Sequence, residues 1–208
     1  MTQNRILVLG TGNAHKVQEI APLLAGLPVT LKGAGDYGEF DPDESGSTLE
    51  ENALIKARAA MELSHEWALA DDTGLEVDAL DGRPGIYAAR YAGPGCSFAD
   101  NVRKLLGELK GVPLEKRTAK FSCVIALCRP GCEPVTFRGE CNGHIALEPR
   151  GNSGFGYDPV FIIDKVHKTF AELSAVEKNE ISHRSIAVKL CKQFLVSELS
   201  RPVPPPLN

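Results

Sequence analysis

The sequence has no surplus of positive charge. Its 23 lysines and arginines stand against 27 aspartates and glutamates, a formal net charge of −4. Proteins that hold nucleic acid polymers or anionic membranes need the opposite balance, so neither is expected as a partner. Long apolar runs are also missing. No segment has the length needed to cross a bilayer, and Met1-Thr2-Gln3-Asn4-Arg5 leads into a short strand pattern rather than a secretory leader. The six cysteines (Cys96, Cys123, Cys128, Cys132, Cys141, Cys191) contain no C-x-x-C pair. That spacing removes the common zinc frameworks, and a chain of 208 residues needs no disulfide staples to hold a core. The expected compartment is the cytoplasm. Repeats and low-complexity blocks are absent too, which leaves an ordinary globular composition, 43% hydrophobic and 24% charged.

The pattern along the chain predicts an α/β fold. Residues 5–10 form an apolar run closed by Gly10-Thr11-Gly12-Asn13, after which Val17, Ile20, Leu23 and Leu24 recur at helical spacing. Strand, glycine turn and helix open an α/β unit, with Pro22 expected to kink or restart the helix. Residues 29–32 read as a second strand and 33–47 as an acid-rich loop. Thr48-Leu49-Glu50-Glu51 is a capping box that opens a helix running to about His65. Residues 67–70 predict a buried strand that ends on an acidic turn, Asp71-Asp72-Thr73-Gly74, and a second strand leaves over 75–79. Farther on, Ser97 caps an amphipathic helix stopped by Gly111. Alternation over 119–127 and 135–142 predicts an antiparallel hairpin, with Cys123 and Cys141 facing inward. A strand over 159–163 follows, then a last helix capped by Ser182 with Ile186, Leu190 and Phe194 turned to the core. The expected organisation is a mixed β-sheet flanked by helices: one domain over 1–200, its hairpin half forming a second lobe, and a frayed proline-rich tail over 201–208.

Four constellations carry chemistry. Thr11, Gly12, Asn13, Ala14, His15 and Lys16 join a strand to a helix N-terminus, where free N–H groups and the positive helix end suit a phosphate and Lys16 adds a charge. This is no Walker A loop, and His15 stands where a dinucleotide fingerprint needs its third glycine. Asp71 and Asp72 repel each other unless a cation intervenes, and Mg²⁺ takes one or two carboxylates together with phosphate oxygens. Glu44 or Asp43 could complete that shell, and Asn52 and Lys56 share one helix face four residues apart. In the third group, Gly154-Phe155-Gly156-Tyr157-Asp158-Pro159 sets two aromatics among glycines, offering a ring for a base to stack on. The fourth group, Lys178, His183 and Arg184, brings three donors to the start of the last helix. Asp72-Thr73-Gly74 is also the triplet of aspartic proteases. It occurs once, and the helical patterns do not suit those all-β enzymes.

Taken together, these motifs resemble the inosine triphosphate pyrophosphatase family. The pieces that match are Thr11-Gly12-Asn13 with Lys16, Glu51-Asn52-Ala53 with Lys56-Ala57, Asp71-Asp72-Thr73-Gly74-Leu75, Pro84-Gly85-Ile86-Tyr87 with Ala89-Arg90-Tyr91, the Gly154 to Pro159 run, and Ser182-His183-Arg184. The likeness spans Ile6 to about Leu195 and is closer to the bacterial branch. It implies an elongated mixed sheet, two lobes with a substrate cleft between them, a homodimer, and Mg²⁺ as cofactor. The implied reaction splits non-canonical purine nucleoside triphosphates (ITP, dITP, XTP) into the monophosphate and pyrophosphate. Asp72 is then the expected base and a metal ligand, Glu44 its partner on the metal, and Lys16 and Lys56 the phosphate holders. The first loop and Thr73 would position the triphosphate, with Phe155, Gly156, Tyr157, Asp158, Lys178, His183 and Arg184 around the base and Phe155 stacked on it. A nucleotide-binding module without turnover would keep the loop and the aromatics but lose the acids. Asp71, Asp72 and Glu44 are all present.

Overall fold

Strand β1, Arg5–Leu9, runs from exposed Arg5 to a buried end at Leu7, Val8 and Leu9. In the computed structural model of the chain, which describes residues 4–200, it lies between two parallel partners. One is β2, Val29–Gly33, and the other β3, Trp67–Val77. Helix α1, Ala14–Leu24, follows β1 and is capped by Asn13, whose side chain accepts from the His15 and Lys16 N–H groups. Pro22 does not restart it. The proline sits in the last turn, and the helix stops two residues later.

Helix α2, Leu49–Ser64, begins at the predicted cap. Thr48 accepts from the Glu51 N–H, and the Glu51 carboxylate accepts from the Ser47 N–H and hydroxyl. After α2, the chain departs from the sequence reading. Residues 67–77 are one unbroken strand, and the acids expected in a turn lie inside it. Asp71 pairs across to Ile125 and Asp72 to Val124 on β5, Thr118–Cys128. A strand can hold two adjacent acids here because successive side chains leave on opposite faces, and each acid meets its own cations.

The rest of the sheet is antiparallel. Strand β4, Pro84–Gly85, pairs with β3, while β5 forms the predicted hairpin with β6, Val135–Ile145. Beyond β6 lie β7, Phe161–Ile163, and β8, Lys168–Thr169, giving the order β2-β1-β3-β5-β6-β7-β8. Ser97 caps helix α3, Phe98–Glu108, which buries Leu105 and has Leu109 at its C-cap, also buried. A short helix absent from the sequence reading, α4, Ala175–Ile181, leads into α5, His183–Leu199.

The inward face of α5 also differs from expectation. Ala187, Val188, Cys191 and Leu195 are buried, whereas Leu190 is 42% exposed. The helix packs closely on β6, where a Cβ at Gly139 would stand 2.2 Å from the His183 carbonyl oxygen and 2.9 Å from Ile186 Cβ.

Two apolar clusters meet along β3 and β5. One takes Leu69, Cys123, Ile125 and Leu127 with α1 and α5; the other takes Leu75, Val77 and Phe121 with α3 and β7. Asp71 sits between them, at the junction of the two cores, while Asp72 turns to the opposite face beside Ala70 and Val124. Cys123 and Cys141 are buried as expected. Among the described residues no helix is long and apolar enough to cross a membrane. The predicted tail, 201–208, lies outside the described residues.

Candidate active site

A cavity of about 330 Å³ opens at this junction. At one end Asp72 and Lys56 face each other. The Lys56 ammonium donates to Asp72 Oδ1 at 2.7 Å and lies 3.3 Å from Glu44 Oε1, so the acidic loop before α2 closes over it. Asn52 holds that loop in place by accepting the Gly46 N–H at 2.8 Å. Burial raises the Asp72 carboxyl above its ordinary value, although Lys56 pulls the other way. Burial also works against the Lys56 charge, but Asp72 and Asp71 outweigh it and keep the amine protonated.

Asp71 points to the other face and does not line the cavity. Its side chain is fully buried, with Lys16 Nζ 3.1 Å from Oδ1 and Arg184 Nε 3.2 Å from Oδ2. Burial alone would push this carboxyl up. Lys16, Arg184 and Lys56 together hold it well below the usual carboxylate range. Asp71 is therefore an anchor for cations and not a base.

Thr11, Gly12, Asn13 and Lys16 line the cavity beside Thr73. Ala14 and His15 do not. The first-turn amides are less free than the sequence suggested, since Asn13 Oδ1 accepts the His15 N–H at 3.0 Å and the Lys16 N–H at 3.4 Å. Lys16 contributes through its side chain.

At the far end the Phe155 ring lines the cavity with Tyr157, Asp158, Lys178, His183 and Arg184. Tyr157 is a fixture, its hydroxyl donating to the Ala88 carbonyl at 2.9 Å and its pKa raised by burial. Asp158 props the loop by accepting the Phe155 N–H at 2.8 Å, and it also pairs with Lys178. Gly154 makes this possible: φ is +75°, and a Cβ there would sit 2.0 Å from Asp158 Oδ2. His183 stacks on Phe121 with centroids 4.5 Å apart and planes 8° from parallel. Burial, then the nearby Arg184 and Lys178, keeps this imidazole neutral. Its Nδ1 has no hydrogen-bond partner among the described residues.

Lys178 and Arg184 are already engaged. Lys178 donates to Glu19 at 2.6 Å, and Arg184 bonds Glu19, Asp71 and Thr73. Sequence reasoning missed Glu19. Its one signal was helical spacing, three residues after Lys16 on α1. Burial acts against its charge, but Arg184 and Lys178 hold the carboxyl below its ordinary value. Phe121, Phe98, Phe40, Ile86 and Arg90 also line the cavity; Ile86 and Arg90 belong to a motif that matched the family without a site role, and no sequence signal marked the three phenylalanines.

Asp72 Oδ2 is buried without a hydrogen-bond partner among the described residues, while Oδ1 is bonded. A carboxylate oxygen left free beside Glu44 suits a hard divalent cation. Among the described residues no group of three or more His, Cys, Asp or Glu forms a complete metal cage. The residues present thus fit an ion that draws most of its ligands from phosphate and water.

Comparison with known proteins finds relatives over nearly the whole chain. The Ham1 family model matches residues 7–194. A dITP/XTP pyrophosphatase of Geobacter sulfurreducens is 51% identical over 190 residues, covering 91% of this chain and 96% of the relative. Among solved structures, a Ham1 protein from Coxiella burnetii superposes with a TM-score of 0.85 at 39% identity, covering 93% of this chain and 99% of that one. The Staphylococcus aureus Ham1 protein gives 0.84 at 40% identity, covering 93% and 100%.

Proposed function

The chain belongs to the Ham1 family, and from this we propose that it hydrolyses dITP, ITP and XTP to the nucleoside monophosphate and pyrophosphate. The observation that carries the reading is one cavity holding a Lys16–Lys56–Asp72 end and a Phe155–His183 end. The first matches a triphosphate and the second a purine.

Asp72 accepts the proton of a water as its oxygen attacks the α-phosphorus, and the α–β bridging bond breaks to release pyrophosphate. Lys16 and Lys56 meet the negative charge that builds on the leaving group. Mg²⁺, held by Asp72 with Glu44 and the phosphates, would neutralise the triphosphate and polarise the phosphorus under attack. Thr73, fixed by Arg184, lies at the cavity wall where the triphosphate passes.

Base selection follows from hydrogen-bonding type. Hypoxanthine and xanthine carry a C6 carbonyl, an acceptor; adenine carries a C6 amine, a donor. Neutral His183 and the unused N–H groups of Lys178 and Arg184 offer donors to the first and leave them facing a donor in the second. The family resemblance further points to a cytoplasmic homodimer with two lobes around the cleft, which light scattering tests for subunit number. The reaction is tested by incubating pure protein with ITP, XTP or ATP and Mg²⁺ and assaying pyrophosphate. ITP and XTP should far outrun ATP, and no pyrophosphate from any of them would overturn the proposal.

A further inference from the structure

Phe155 separates two cavities. On the substrate side, Lys178 Nζ lies 5.2 Å and Arg184 Cζ 5.6 Å from its ring centroid. A second cavity, about 530 Å³, is lined by Phe155 together with His15 and Phe98, and His15 does not reach the first. There the His15 imidazole stacks on the phenyl ring, centroids 5.1 Å apart and planes 14° from parallel. Phe98 meets both rings, 6.1 Å from His15 and 5.7 Å from Phe155. A stacked imidazole leaves no room for two cationic heads on the same face, so His15 covers the face of Phe155 turned away from the substrate.

Phe155 needs such support. Gly154 and Gly156 flank it with φ of +75° and +64°, and a glycine-flanked ring is poorly held by its own backbone. His15 is well placed to give it, because Asn13 fixes the first turn of α1 by accepting the His15 N–H. Lys16, the next residue, lines the triphosphate end. One helical turn thereby reaches both ends of the nucleotide.

We propose that His15 is a positioning residue for base recognition, a backing plate that holds the Phe155 ring so that its other face is presented to the purine. The identity of the ligand rests on the function proposed above; the stack itself does not. His15 is exposed, so substitutions there leave the core untouched.

The test compares wild type, His15→Ala and His15→Phe by calorimetric binding of IMP and, separately, of inorganic tripolyphosphate. Loss of one aromatic contact predicts that His15→Ala binds IMP roughly threefold to tenfold more weakly. His15→Phe should restore the wild-type affinity, and tripolyphosphate should bind all three alike. Unchanged IMP affinity in His15→Ala would overturn the proposal. So would failure of His15→Phe to restore it, or an equal loss for tripolyphosphate, which would assign His15 to the phosphate loop. Wild type that binds IMP but does not turn over ITP would sink the hydrolase reading and leave this comparison valid. Wild type that binds no IMP would sink both.

Discussion

Asp71 and Asp72 are neighbours with opposite fates. Asp72 faces the cavity with a free oxygen and a pKa raised by burial, whereas Asp71 is enclosed by Lys16 and Arg184. Asp72→Asn keeps the shape but loses the base, so kcat should fall on the order of 10²- to 10⁴-fold with ITP binding retained. A variant with near-normal turnover would remove Asp72 from the mechanism. Lys16→Ala removes a phosphate contact that is made in the ground state and strengthens as charge builds on the leaving group, so KM should rise and kcat should fall together. Unchanged kinetics would return Lys16 to a purely structural tie with Asp71. The Asp71 prediction concerns stability. Its folded pKa lies below the unfolded value, so its stabilisation is present above about pH 4 and is lost as pH falls toward the depressed value. Asp71→Asn should be less stable than wild type at neutral pH, and urea titrations should show the gap closing below about pH 4. A gap that stays constant with pH would mean the carboxylate charge contributes nothing.

Among the elements, α2 and the hairpin were legible because their signals are local: a Thr48 cap, and alternation on both sides of Arg129-Pro130-Gly131. Strand β3 was misread for the opposite reason. Two acids look like a strand end unless their partners are known, and those partners lie 16 residues away at Lys56 and 113 away at Arg184. No local window contains them. The face of α5 was misread because Leu190 was assigned inward, whereas Ala187, Val188, Cys191 and Leu195 face the core and the helix makes its close approach to the sheet at Gly139. That approach gives a prediction at this scale. Gly139→Ala places a methyl against the α5 backbone, so the thermal midpoint should drop by an amount corresponding to about 1–3 kcal/mol. An unchanged midpoint would show that α5 can move off the sheet without cost.

At the scale of the molecule, the two ends of the site are tied by charge. Lys178, Glu19, Arg184, Asp71 and Lys16 form a continuous chain of ion pairs from the base end to the phosphate end. The motifs that carry the site stood out in the sequence, but this wiring did not, because Glu19 looks like an ordinary helical acid. Breaking such a chain leaves uncompensated buried charge, which is costly. The central claim is that water attacks the α-phosphorus of a non-canonical purine triphosphate. The most direct measurement is hydrolysis of ITP in ¹⁸O-labelled water, with both products examined by mass spectrometry. The account predicts one labelled oxygen in IMP and none in pyrophosphate. Label in pyrophosphate, or release of a nucleoside diphosphate, would contradict it.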